Sequence, residues 1–402
     1  MIPDNQPLSG LTVLDLSHVY AGPYTTLLLA MAGARVLKIE PPDGEHLRRR
    51  AVLPGPRYAF TLMNSNKESV TLDLKHPEGV QAFIDLARHA DVLVENFTPG
   101  VLDRLGLSWS VLREVNPRLI YATLSGYGST GRYATRAAMD LSVQAMSGAV
   151  AATGFPDGPP VKAGVALCDF SAGVHLYGAI TTALFQRERT GRGKHCEVSM
   201  LESVFPMLMS SLTRYYATGE DGPRAGNRHP GLSVAPYAIF EANDGHVVVI
   251  CESDHHWRLL CDAMGRPDLR SDPRYADTAS RVGRMDEVDH IVAEWCAGLT
   301  KDEVVARLDA VGVPSAPVRE MSEVLLDPHL YERNYLQRIE HPDLGPVTAM
   351  GSALRFDNLA SPDVTPSHQL GADTRRALVE IAGYDEERVS RLADSGALGN
   401  AQ

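Results

Sequence analysis

Asp169 stands in the run VKAGVALCDFSAGVHLYGAITTAL, residues 161–184, among small and apolar side chains. Taking an ionised carboxylate out of water is costly unless something pairs with it or uses it. Two roles fit. The carboxylate performs chemistry, or it caps a helix, because Asp is a favoured N-cap residue. Cys168 next to it invites comparison with a nucleophilic thiol, but a small apolar filler at a strand end accounts for it more simply. Basic residues recur on loops that would flank the same crevice: Arg48-Arg49-Arg50, Lys75, Arg104 and Arg136. Arg and Lys at strand ends can hold phosphates or carboxylates, although ordinary surface charge explains any one of them.

The elements that must position these groups follow from periodicity. Val165–Cys168 reads as the end of a buried strand. From Ser171 the apolar and small residues Val174, Tyr177, Gly178, Thr181, Leu184 and Phe185 recur at helical spacing. Asp169 is therefore expected where a strand hands over to a helix, the usual place for chemistry in α/β proteins. Upstream, Leu11–Leu16, Arg35–Glu40, Ser69–Leu74, Asp91–Glu95, Leu119–Leu124 and Glu197–Met200 read as strands, with helices at Tyr24–Gly33 and Pro77–His89. Such alternation predicts a largely parallel sheet covered on both faces. Thr218–Gly231 is rich in Gly, Pro and charge, and the texture changes beyond it. Strands at Tyr237–Glu241 and His246–Cys251 flank an Asn-Asp-Gly turn. Helices follow at His256–Met264, Val282–Leu299 and Lys301–Val311. Val347–Met350 reads as a short strand, and a final helix is expected over Asp373–Ala382. The expected organisation is a large Rossmann-like domain (1–218), a smaller α+β domain (219–318) and a C-terminal return to the large domain (319–402).

Composition narrows the function. A net charge of −12 argues against general binding of nucleic acid or anionic membrane. No apolar run approaches the roughly 18 residues of a membrane span, and no signal peptide is visible. The five cysteines are scattered and never spaced as CxxC, which suits reduced thiols in the cytoplasm. No metal-ligand spacing appears, since His255-His256 lack a third ligand. Gly126–Gly131, GYGSTG, matches the GxGxxG string but leads into no helix with a following acidic strand end, so a close-packed turn fits better than NAD binding.

Taken in order, the segments resemble the family III CoA-transferases, the group that includes formyl-CoA:oxalate and carnitine CoA-transferases. The resemblance rests on Leu8-Ser9-Gly10 with Val13-Leu14-Asp15, His18-Val19 with Ala21-Gly22-Pro23, and Gly33-Ala34 with Lys38-Ile39-Glu40. It continues through Asn66-Lys67, Glu95-Asn96-Phe97 with Pro99-Gly100, Leu105-Gly106, Gly126-Tyr127-Gly128, the Asp169 segment and Thr190-Gly191-Arg192-Gly193. It implies an interlocked homodimer with a Rossmann-like large domain, no tightly bound cofactor, no metal, and coenzyme A as substrate and product. It implies that Asp169 is the catalytic nucleophile, passing through aspartyl anhydride and aspartyl-CoA thioester intermediates. CoA would be bound by His18, Val19, Ala21, Asn96, Phe97 and Arg104. Pro41 stands where the oxalate enzyme has a basic residue, so Arg136 is expected to supply a phosphate contact instead. Gly226, His229 and Gly231, in GNRHPG, match a glycine-rich lid. Arg48 and Arg50 are candidates to hold a second carboxylate of the acceptor, which makes a small dicarboxylic acid the expected partner and succinyl-CoA the expected donor. The alternative is an α-methylacyl-CoA racemase or other CoA-ester isomerase of the same superfamily. Those racemases carry a His-Asp pair where this chain has Met139-Asp140, and Met cannot accept a proton.

Overall fold

The computed structural model describes residues 6–50 and 54–399. Six strands form one parallel sheet: β1 (Thr12–Asp15), β2 (Arg35–Glu40), β3 (Glu68–Thr71), β4 (Val92–Glu95), β5 (Ile120–Ser125) and β6 (His195–Ser199), in the order β3-β2-β1-β4-β5-β6. Successive side chains go to opposite faces. Leu14, Leu37 and Leu93 enter one core with Phe83 and Leu86, whereas Val13, Val36 and Val92 enter a second with Leu176 and Ile180. A parallel sheet covered on both sides buries most of its strand residues, and the polar ones among them, such as Lys38, Glu40 and Glu95, cluster toward the carboxyl ends of their strands. The order reverses between β1 and β4. Their carboxyl ends therefore open the crevice in which open α/β sheets receive ligands.

The helix over Leu167–Thr190 buries Cys168, Ala172, Leu176, Ile180, Ala183 and Arg187. Arg187 is buried against Asp91 at 2.9 Å, so its charge is paired. The helix ends at Gly191, whose φ of 69° suits a residue without Cβ. The Ala21–Met31 helix begins three residues before its expected start, with Pro23 inside its first turn, where a missing N–H costs nothing.

Two compact units are distinguished by their contacts. The first comprises residues 1–144, 165–204 and 327–402; the second comprises 145–164 and 205–326. The expected division at residue 218 thus falls inside the second unit, which also takes the earlier segment. Within the second unit β7 (Tyr237–Ala242), β8 (Gly245–Ile250) and β9 (Ser315–Pro317) form an antiparallel sheet around a core holding Trp257, Val288 and Leu308. In the first unit β10 (Leu336–His341) pairs with β11 (Gly345–Met350), and the Thr374–Glu380 helix buries Ala377 and Leu378 in the sheet's core. That helix is not the last. Glu386–Asp394 follows, capped by Asp385. No described helix is long and apolar enough to cross a membrane.

One expectation is overturned at the site itself. Val165–Cys168 is no strand: the helix already begins at Leu167, and Asp169 lies in its first turn rather than at a strand-to-helix junction. Asp169 is not the cap either, since that position is Ala166, which makes no side-chain capping bond. A four-residue apolar run does not distinguish a strand from a buried helix start.

Candidate active site

The carboxyl of Asp169 is held at the amino end of the 24-residue Leu167–Thr190 helix. The free N–H groups there need acceptors. They receive one from elsewhere in the chain: Asp140 Oδ1 accepts from the Cys168 N–H at 2.8 Å and from the Asp169 N–H at 3.3 Å. Asp140 is fixed in turn by Gln144, whose Nε2 donates to Oδ2 at 2.6 Å. Burial pushes the Asp169 carboxyl up, and the neighbouring Asp140 charge adds to it, so it titrates at about 7. The positive end of the helix dipole acts in the opposite sense and supports the anion. Asp169 is thus a carboxylate poised to be ionised in half the molecules near neutrality, with its charge poorly hydrated. The adjacent Cys168 is fully buried, and burial followed by the charges of Asp140 and Asp169 lifts its thiol to about 12. A thiol so placed is not a nucleophile, in agreement with the filler role.

Aromatic contacts tie this turn to the loop after β1. Phe170 stacks on Tyr20 at 5.9 Å and meets Tyr24 edge-on at 5.0 Å. That loop carries His18, Val19 and Ala21. Its partner across the switch point is the loop after β4: the His18 N–H donates to Asn96 Oδ1 at 2.8 Å, and Asn96 Nδ2 donates to the His18 carbonyl at 2.9 Å. Phe97 meets the His18 ring edge-on at 4.9 Å. Val19 has a φ of 66°, a costly conformation for a β-branched residue. Gly22 is required beneath it, because a Cβ there would lie 2.2 Å from the Ser17 Cβ. Four sequence-predicted residues, His18, Val19, Asn96 and Phe97, therefore meet where the loops after β1 and β4 adjoin, and Ala21 is buried behind them at the start of its helix.

Three acidic groups to which the motifs gave no positioning role support these loops and the helix start. Glu45 is buried with Oε2 at 3.5 Å from His18 Nδ1. Burial pushes Glu45 up, but the His18 contact and the Lys38 charge outweigh it, and the carboxyl falls below its usual range. Glu95 accepts the Phe97 N–H at 2.8 Å, yet burial dominates and raises it to about 7. Asp140 is the third. A hydrophobic strand ending in a single acid was the available signal for Glu95; Asp140 was noted only in the Met139-Asp140 pair, and nothing local marked it as the partner of the Asp169 helix.

The arginines divide. Arg48 is not a free cation: it donates through Nε and Nη2 to both oxygens of Glu40 at 2.9 Å, and its guanidinium covers the Phe60 ring at 4.0 Å. Glu40 is fully buried, so this pair serves the fold first. Arg50 is exposed at the end of the His46–Arg49 helix. Arg104 ends the Val101–Arg104 helix, which follows Gly100, and Arg136 is exposed near the rings of Tyr127 and Tyr133 at 6.0 and 5.8 Å. The lid candidates belong to the second unit. There the Gly226 N–H donates to the Gly154 carbonyl at 3.0 Å, His229 is anchored on the Tyr237 carbonyl at 3.1 Å, and the Gly231 N–H donates to His229 Nδ1 at 3.1 Å. The GYGSTG turn closes on itself through Gly128 N–H to Ser125 Oγ at 2.9 Å. Among the described residues no group of His, Cys, Asp and Glu could hold a metal ion.

A desolvated carboxyl near the loops of a Rossmann-type switch point is consistent with the order of motifs, and comparison with known proteins decides the family. The model of CoA-transferase family III matches residues 8–374. The chain is a family III CoA-transferase. It is 40% identical to the acetyl-CoA:oxalate CoA-transferase of Acetobacter aceti over 366 residues, 90% of this chain and 92% of that one. It is 37% identical to the succinyl-CoA:mesaconate CoA-transferase of Haloarcula hispanica, over 88% of this chain and 91% of the relative. A crystal structure of a CAIB/BAIF family protein from Brucella suis superposes with a TM-score of 0.82 at 32% identity, covering 94% of this transferase and all of that chain.

Proposed function

We propose that this transferase moves CoA from an acyl-CoA, with succinyl-CoA the fitting donor, to a small dicarboxylic acid, and that Asp169 carries the acyl group. The observation that carries this reading is the Asp169 carboxyl itself: desolvated, raised to about 7 and fixed at a helix amino end by Asp140. In the first step an Asp169 oxygen attacks the thioester carbonyl. The C–S bond breaks, and its electron pair leaves on the CoA thiolate. The thiolate then attacks the Asp169 carbonyl of the mixed anhydride, freeing the donor acid as its carboxylate and leaving an aspartyl-CoA thioester. The acceptor carboxylate repeats the two steps in reverse, and Asp169 is restored. Desolvation strengthens the nucleophile, and the covalent route divides one hard exchange into easier ones. The dicarboxylic acceptor is favoured by the relatives, whose named acids are oxalate and mesaconate. CoA would occupy the crevice of His18, Val19, Ala21, Asn96 and Phe97, with Arg104 and Arg136 toward its phosphates. Gly226, His229 and Gly231 would shield the intermediates from water.

Racemisation is disfavoured by Met139, which stands exposed where a base is needed, while Asp140 is occupied as a cap. A homodimer is supported by the apolar outer face of the Leu167–Thr190 helix, where Val174 and Phe185 are 50% and 62% exposed. The five cysteines form no disulfide, which suits the cytoplasm. The test is direct. Incubation with acyl-CoA followed by peptide mass spectrometry should find CoA on Asp169, and Asp169→Ala should fold yet transfer nothing. Wild-type turnover in that variant rejects the assignment.

A further inference from the structure

A cavity of about 210 Å³ lies in the first unit beyond the end of β2, lined by Arg48 and Arg57, by Phe60 and Thr61, and by His341 and Ser367. None of these residues belongs to the first turn of the Leu167–Thr190 helix or to the His18–Asn96 crevice. Its size is below that of sites for drug-sized ligands, roughly 300–1,000 Å³. Its charge is lopsided. Arg48 spends Nε and Nη2 on Glu40, and Nη2 also donates to the His368 carbonyl at 3.1 Å. Its Nη1 makes no hydrogen bond among the described residues. Arg57, about one turn before Phe60 on the Pro54–Asn64 helix, has no carboxylate partner among the described residues and is exposed at the cavity. Asp343 is the one carboxylate among the lining residues.

The remaining wall is preset to donate. The Asp343 N–H donates to His341 Nδ1 at 3.1 Å, which leaves the proton of the neutral ring on Nε2. Nε2 then donates to Ser367 Oγ at 3.1 Å, and Ser367 Oγ donates to Thr61 Oγ1 at 3.3 Å, so the proton left over at the end of this chain is that of the Thr61 hydroxyl. Two guanidinium groups, one of them without a carboxylate partner among the described residues, beside the Thr61 hydroxyl in a small concave space make a site for an anion with more than one negative oxygen, because Arg forks match carboxylate and phosphate oxygens in pairs. From the juxtaposition of Arg57, the free edge of Arg48 and the His341–Ser367–Thr61 cluster we infer that this cavity binds a small dianion, a dicarboxylate or inorganic phosphate, independently of the acid that accepts CoA at Asp169.

The full-length protein should be crystallised without phosphate or sulfate and soaked in selenate, whose selenium is located by anomalous scattering. Titration calorimetry with phosphate, succinate and acetate should accompany it, on wild type, on Arg57→Met and on Arg49→Met, a neighbouring arginine already paired with Asp43. Selenium between Arg48 and Arg57 is expected, with phosphate or succinate bound and acetate at least tenfold weaker. Loss of one charge-assisted contact should weaken the dianion about 10- to 100-fold in Arg57→Met and leave Arg49→Met at the wild-type value. Saturation by phosphate but not succinate keeps the site and identifies its ligand as phosphate. Absence of selenium from the cavity, equal affinity of Arg57→Met and wild type, or acetate binding as tightly as the dianions overturns the inference. Failure here leaves CoA transfer at Asp169 untouched, because the mass-spectrometric adduct is read at a different residue.

Discussion

Asp140 and Asp169 are joined by a hydrogen bond that sets one acid to serve the other: Asp140 Oδ1 accepts the Asp169 N–H at 3.3 Å, and the same oxygen accepts the Cys168 N–H at 2.8 Å. Asp140 fixes the helix start on which the Asp169 side chain is mounted, and its charge helps keep the Asp169 proton on until about pH 7. One carboxylate thereby supplies both position and electrostatic tuning to the other.

The first prediction concerns rate against pH. Attack needs ionised Asp169, so kcat/KM should rise tenfold per pH unit below about 7 and level off above it. The measurement is a pH profile with a donor whose own carboxylate is ionised throughout. A plateau reaching down to pH 5 would show that Asp169 is not the group titrating.

The second concerns stability. The folded carboxyl binds its proton more tightly than the unfolded chain does, with a value raised from 3.8 to about 7. Between these values the native state holds the extra proton, so stability falls as pH rises through that window and is constant above it. Asp169→Asn removes the dependence. It should be more stable than wild type by about 1–3 kcal/mol at pH 8, allowing for residual solvation, and equal to it near pH 4. Melting temperatures of the two proteins at both pH values decide the matter.

Asp140→Ala separates the two functions of that residue. Loss of a cap serving two N–H groups should cost about 1–2 kcal/mol, and loss of the neighbouring charge should move the rate midpoint to lower pH. Asp140→Asn keeps an acceptor oxygen, so it should recover most of the stability but not the original midpoint. An unchanged midpoint in both variants would mean that burial alone sets the Asp169 value.

How far these features were legible in sequence follows from their range. Strands β1, β2, β4 and β5 were readable to within about two residues, because each carries short apolar runs in a regular alternation with helical segments. His18 and Asn96 were reached only through resemblance; their mutual hydrogen bonds join loops 78 residues apart, and no local pattern encodes such a pair. The start of the Asp169 helix was misread for the same reason. Its cap is Asp140, 28 residues before Cys168, so the sequence beside Ala166 carries no stop or start signal. The pairing of Arg48 with Glu40 was not legible either, because that partner closes a strand eight residues earlier and is buried at 0% exposure.

Arg48→Met should therefore act on folding before it acts on acceptor choice. It leaves Glu40 buried without its bidentate partner, a loss of about 3 kcal/mol or more. Arg50→Met, at an exposed position, should leave stability within about 0.5 kcal/mol. Denaturant midpoints compared with the ratio of succinate to butyrate turnover distinguish the two effects. A stable Arg48→Met protein with altered acid preference would return Arg48 to the substrate.

Gly173 tests whether the Asp169 helix must approach its neighbour closely. A Cβ at residue 173 would lie 2.7 Å from the Ala21 carbonyl oxygen and 3.3 Å from Tyr24 Cδ1. The Thr25 hydroxyl already donates to the Gly173 carbonyl at 2.9 Å, so the two helices meet backbone to backbone. Neither backbone can yield by rotating a side chain, and Gly173→Ala must push the helices apart. Overpacking of this kind costs about 1–3 kcal/mol, more than the gain from replacing glycine within a helix, about 0.5–1 kcal/mol. Asp169 sits one turn earlier on the same helix, and Ala21 begins the helix that follows the His18–Val19 loop, so the displacement also moves the Asp169 carboxyl relative to His18 and Val19. The expected result is a lowered melting temperature together with a loss of kcat at least tenfold, since a misplacement near 1 Å can cost about 100-fold. The rate midpoint should stay near pH 7, because Asp140 remains beside Asp169. A variant as stable and as active as wild type would show that the close approach of these helices is dispensable.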